Sequence, residues 1–195
     1  MARIKSAIEI ALERTESVKG DKAGVELFEA KREGKKLAGA FLESPADHPL
    51  EPAFKKIPKD KVGAVRRGAL EVLLSQISLP YAKDDLKRLE TVGSGLAAVI
   101  ADKKFNLLFQ QLAAALERYV AETEQYDKAI RQQFAPKLRQ KEEELARRTG
   151  RRVQIDPLQD PEFVAFYNQN MGALKDRYQG AIDQVREQAQ QLFGE

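Results

Sequence analysis

From position 112 to position 130 the apolar residues of this chain recur in alternating steps of four and three, at Leu112, Leu116, Tyr119, Thr123, Tyr126 and Ile130. That spacing draws one narrow stripe along a helix, the seam of a coiled coil, and the stripe needs a partner helix to leave water. It continues through Phe134, Leu138 and Leu145 in wider steps, nearer the 11-residue repeat at which a supercoil relaxes. A second stripe runs through Val164, Tyr167, Met171, Leu174, Tyr178, Ala181, Val185, Ala189 and Leu192. The two are nearly equal in length and can pair antiparallel over about 50 Å at 1.5 Å per residue. Counting from the ends nearest the turn, opposed residue numbers sum to about 310, with Ile130 near 180–182 and Leu138 near Met171 and Leu174. Pro136 lacks a donor and crowds the carbonyl four residues earlier, so a kink is expected there. Residues 113–195 are therefore expected to form an antiparallel, coiled-coil-like helical hairpin with its tip near 150–160.

The rest of the chain also reads as helix, so the expected class is all-α. Residues 1–43 carry a stripe at Ile4, Ala7, Ile8, Ala11, Leu12, Thr15 and Val18; Gly20-Asp21 interrupts it, and Asp21 is placed to cap a second segment through Val25, Phe28, Leu37, Phe41 and Leu42. Four prolines, Pro45, Pro49, Pro52 and Pro58, mark residues 44–59 as a non-helical linker. A helical middle spans 60–112. Val65, Ala69, Val72, Leu73 and Ile77 share a face there, and a second run passes through Tyr81, Leu86, Leu89, Val92, Leu96, Ile100, Leu107 and Leu108.

Charge excludes a general affinity for polyanions, because 33 Lys+Arg stand against 30 Asp+Glu. Local clusters must carry any such affinity. The absence of Cys excludes disulfides and thiolate metal sites, and the absence of Trp makes for a thin aromatic core. The longest apolar run, at 96–101, falls far short of the roughly 20 residues that span a bilayer. The charged opening MARIKSAIEIALERTE has no apolar core of a signal peptide. No membrane insertion is expected, and the location expected is cytoplasmic.

Two basic clusters are the candidate sites. The first lies in RRTGRRVQIDPLQDPEF, at 147–163, where Gly150 reads as a helix C-cap, Arg147 and Arg148 complement the helix dipole, and Asp160-Pro161 opens the next helix. Capping leaves Arg151 and Arg152 unexplained, and with Arg147 and Arg148 they concentrate cations where phosphates could reach. Phe163, Phe166 and Tyr167 are close enough in sequence to stack on an RNA base, although Tyr167 also fits the seam. The second cluster, KKIPKDKVGAVRR, holds Lys55, Lys56, Lys59, Lys61, Arg66 and Arg67 against Asp60 alone. A solvated face is the simpler reading of it, since a charge run is usually one.

Catalytic constellations are missing. His48 is the single histidine and sits in a turn-like ADHPLEP context, which leaves no triad and no two-histidine metal motif. Asp84-Asp85 reads as helix capping, and Glu142, Glu143 and Glu144 on consecutive helical positions point in different directions. Gly93-Ser94-Gly95 lacks the Gly-Lys-Ser/Thr ending of a phosphate loop and any preceding strand, so it reads as a kink or a close helix contact. No enzyme activity, cofactor or metal is expected.

The opening IKSAIEIALERT, with the helical layout, resembles an uncharacterised family of short bacterial proteins, a domain of unknown function. The resemblance lies mainly over the first forty residues, and it implies a bacterial cytoplasmic origin and no activity. The expected function is that of a non-enzymatic interaction, adaptor or assembly protein presenting the hairpin to a protein partner. The alternative is an RNA- or ribosome-associated factor using the arginine-rich tip. Closing the seam across a homodimer, rather than within one chain, is the competing assembly.

Overall fold

The structure is a computed structural model that describes residues 7–194, with side chains from Gly24 onward. The described chain is all-α: six helices and one 3-10 turn, with no strand among the described residues. It divides into two compact units, Met1–Gln76 with Thr91–Asp102, and Ile77–Glu90 with Lys103–Glu195.

The first unit is built on α1 (Ala7–Glu43), the short α2 (Leu50–Lys55), α3 (Lys59–Ser75) and the later turns of α4 (Asp84–Ile100). Two expectations are corrected here. Helix α1 runs unbroken through Gly20-Asp21, so no second segment begins there. One interior glycine costs only about 1 kcal/mol against alanine, which a long helix absorbs. The side chains of the stripe from Ile4 to Val18, and with them the IKSAIEIALERT opening, lie outside the described residues. The second correction is that residues 44–59 are not all non-helical. Pro52 falls in the first turn of α2, where its missing N–H would have had no intrahelical acceptor, and Pro58 sits just before the first residue of α3. Leu50 and Phe54 of α2 are buried, so the proline-rich segment packs as part of the core.

Helices α1 and α3 run in the same direction, as the order of their contacts shows. Glu26 pairs with Lys61, Lys31 lies against Gly68, and both Lys31 and Lys35 reach Glu71. The crossing is backbone against backbone. A Cβ on Gly34 would sit 1.8 Å from the Val65 carbonyl oxygen, and one on Gly68 would sit 2.0 Å from that of Lys31. Gly95 plays a similar part in α4, where a Cβ would meet Phe41 at 2.7 Å and Leu73 at 3.1 Å. Gly93-Ser94-Gly95 is thus a close helix contact inside a continuous helix. Its position away from the α4 N-terminus leaves no free N–H groups to cradle a phosphate.

The second unit is dominated by α5 (Lys103–Thr149) and α6 (Pro161–Gly194), with the 3-10 turn Pro157–Gln159 between them. The two helices pair antiparallel. Tyr119 packs on Tyr178 with ring centroids 5.0 Å apart, Phe134 meets Phe163 edge-on at 5.3 Å, and Glu122 pairs with Arg177. Pro136 lies inside α5 without ending it. The buried faces are Leu112, Leu116, Tyr119, Val120, Ile130, Phe134 and Leu138 on α5, and Phe163, Met171, Leu174, Tyr178, Ile182, Val185 and Ala189 on α6.

The seam differs from its sequence reading in two ways. Tyr126 and Leu107 are 42% and 64% exposed, while Val120, outside the three-four pattern, is buried. Between Val120 and Ile130 the layer turns polar: Arg131 clamps Asp127 at 2.9 and 3.1 Å, and Thr123 donates to the Tyr119 carbonyl. The register also differs. Ile130 shares its cluster with Phe163, Met171 and Leu138, far from Ile182, and Leu174 lies outside that cluster. Opposed numbers sum to about 298 rather than 310, as for Tyr119 with Tyr178 and Glu122 with Arg177, so the partner of each residue is displaced by roughly three turns from the register counted back from the chain's turn. The cause lies in the connection between the helices.

Candidate interaction site at the hairpin tip

Helix α5 ends at Thr149, and Gly150 follows with φ 69°, its N–H bonded to the Ala146 carbonyl at 2.8 Å. This is the left-handed closure that glycine permits without a Cβ clash. Instead of turning straight into α6, the chain folds back along the last turns of α5. The Ile155 N–H donates to the Glu142 carboxylate at 2.8 Å, and the Ile155 side chain packs against the Phe134–Phe163 cluster. Asp156 then caps the 3-10 turn by accepting from the Leu158 N–H at 3.0 Å. Helix α6 begins only opposite Lys137 and Lys141, which accounts for the displaced register.

Asp160 locks this return. Its Oδ1 accepts from the N–H groups of Glu162 (3.0 Å) and Phe163 (2.9 Å), and its Oδ2 accepts from Lys141 at 2.5 Å. Lys141 also reaches Glu162 at 3.0 Å, and Lys137 pairs with Glu162. The hydrogen bond from Lys141 holds Asp160 below its usual carboxylate range, that from Lys137 does the same for Glu162, and Asp160 raises Lys141 in return. These perturbed groups satisfy one another and the α6 N-terminus.

The four tip arginines stand in solvent. Arg147 and Arg148 occupy the last turn of α5, Arg151 and Arg152 follow the Gly150 closure, and all four are exposed. The aromatic residues that could have joined them are spent elsewhere. Phe163 is 0% exposed, and Phe166 and Tyr167 pack against the same cluster, with the Tyr167 hydroxyl held to Asp127. What the sequence reading missed lies between. Leu158 is 59% exposed, and Val153, 41% exposed, lines a groove of about 270 Å³ with Arg139, Glu142, Glu143, Ala146 and Arg152.

The second basic cluster, which belongs to the other unit, is only partly free. Lys61 pairs with Glu26 at 3.6 Å, and Arg66 lies over the Phe54 ring at 5.4 Å, while Lys55, Lys56, Lys59 and Arg67 are exposed. His48 is exposed in the turn after α1, its N–H bonded to the Ser44 carbonyl. Among the described residues no group of His, Cys, Asp and Glu could hold a metal ion, and no helix is long and apolar enough to cross a membrane. No curated protein and no solved structure matches the chain. Residues 51–191, which span the proline-rich α2 and both hairpin helices, match a family of unknown function, and the chain belongs to that family, DUF6657.

Proposed function

We propose that this chain is a non-enzymatic interaction protein, an adaptor or assembly factor that presents its helical hairpin to a protein partner. The observation that carries the reading is the tip connection. Two carboxylates, Glu142 and Asp160, hold its backbone against α5, yet Val153 and Leu158 remain turned into water. A fixed loop that carries outward apolar side chains and exposed arginines has the composition of a binding surface, since interfaces favour arginine and a small apolar centre. The non-enzymatic part rests on where the perturbed groups are: Lys141, Asp160 and Glu162 are committed to one another and to the backbone, not to a cleft. Photoreactive residues at Leu158 and at Tyr126, on the outer face of α5, test the reading in cells of the source. Crosslinking to one defined protein is expected, and the absence of any protein adduct at both positions would contradict it.

The second reading, an RNA- or ribosome-associated factor, is favoured by one observation. Among the described residues the guanidinium groups of Arg147, Arg148, Arg151 and Arg152 have no ion-pair partner. Nucleic acid that copurifies with the protein and is released by salt would support this reading.

A further inference from the structure

The tip carries a more specific assignment, which rests on the protein-partner reading. Between Arg147 and Gln159 the chain has four arginines and a single acid, Asp156. That acid is turned onto the Leu158 N–H as a cap. The arginines are therefore left without a counter-charge from their own segment, while nearby Lys141 is neutralised by Asp160 and Glu162. Glu142 and Glu143 line the groove beside Arg152, but among the described residues none of the four guanidinium groups makes an ion pair, and burying them is unfavourable unless the partner brings carboxylates or phosphates. Phosphates alone would leave Val153 and Leu158 wet, and the stacking that lets proteins hold RNA bases is closed off because Phe163, Phe166 and Tyr167 are built into the hairpin core.

We infer that the hairpin tip docks an acidic segment of a partner protein, in which carboxylates meet Arg147, Arg148, Arg151 and Arg152 while one or two apolar side chains cover Val153 and Leu158. Bidentate guanidinium–carboxylate pairing gives the contact its specificity and its sensitivity to salt, and the aliphatic centre excludes water from it.

The test uses the full chain and four labelled probes: a synthetic Glu/Leu peptide, the same peptide with Ser in place of Leu, the same peptide with Lys in place of Glu, and an oligouridylate RNA of equal charge. The Glu/Leu peptide should bind most tightly. The double variants Arg151→Ser/Arg152→Ser and Val153→Ser/Leu158→Ser should each weaken it by about tenfold or more, with helicity unchanged, because the altered side chains are exposed. The inference is overturned if the Glu/Leu peptide does not bind, if either double variant binds it normally, if the Ser or Lys peptide binds as well, or if the RNA binds more tightly. Failure here together with a protein still captured through Tyr126 would remove the tip assignment and leave the protein-partner reading standing. Failure of both would remove both.

Discussion

The two units solve the same problem, helix against helix, by opposite means. In the first, α1 and α3 approach until backbone touches backbone, and glycine is what lets them: Gly34 faces Val65, and Gly68 faces Lys31. In the second, α5 and α6 are held apart by large side chains, with Tyr119 on Tyr178 and Phe134 on Phe163 filling the seam. The hairpin helices contain glycines as well, but a Cβ on Gly172 or Gly180 would meet nothing within 4 Å. A glycine in a helix therefore has no fixed meaning. It can be the contact itself, or merely a missing side chain on the surface.

The largest effect that follows is on the first unit. Gly68→Ala should cost more than about 3 kcal/mol, beyond ordinary overpacking, because the obstacle is a carbonyl oxygen of the neighbouring helix that no rotamer change can move. Chemical denaturation measures it, and a wild-type midpoint would mean that α1 and α3 cross elsewhere. In the hairpin the vulnerable direction is the reverse, loss of volume. Leu174→Ala should cost about 2–4 kcal/mol through lost burial and a cavity. Arg152→Ala, at the exposed tip, should change stability by less than about 0.5 kcal/mol, and equal midpoints for these two variants would show the seam to be misplaced.

Acidification should loosen the tip, and it also acts on Glu71 in the first unit, which Lys31 holds below its usual range. Asp160 and Glu162 titrate below their usual values in the folded chain, so their contribution is present in full above the ordinary carboxylate range. It is lost as pH falls below about 4, through that range to the depressed folded-state values. Amide exchange at Glu162 and Phe163, whose N–H groups Asp160 caps, should accelerate there beyond the intrinsic rate change. Protection that persists unchanged would mean that the cap does not depend on the charge of Asp160. A small effect has the opposite sign to the first: Gly180→Ala, exposed in the interior of α6, should stabilise by about 0.5–1 kcal/mol.

This contrast also explains what was legible in the sequence. The α5–α6 hairpin could be read because large apolar residues at three-four spacing announce a side-chain seam. Leu112, Leu116, Ile130, Phe134, Leu138, Met171, Leu174 and Val185 are all buried as that spacing requires. The α1–α3 crossing could not be read, since Gly34 and Gly68 carry no periodic apolar signal. Gly20 looked like a break because the weak helix propensity of one residue was weighed without the helix around it. Proline was overread for a similar reason: Pro52 sits where the first turn of α2 tolerates it. The four tip arginines were visible, whereas Val153 and Leu158 were not. Their exposure belongs to a connection that folds back along α5, which local spacing does not encode. The same fold-back displaced the register, because counting from the turn assumed that α6 begins where α5 ends.

That fold-back is the central claim, since it fixes both the hairpin register and the tip surface. Two cysteine pairs and a short bismaleimide test it most directly. Glu122→Cys with Arg177→Cys replaces an ion pair that bridges the two helices, and Ile130→Cys with Ile182→Cys matches the register in which α6 follows α5 without delay. The first pair should crosslink efficiently within one chain and the second should not. Efficient crosslinking of the second pair but not the first would contradict the fold-back, and crosslinks of the first pair found only between chains would replace the hairpin with a dimer.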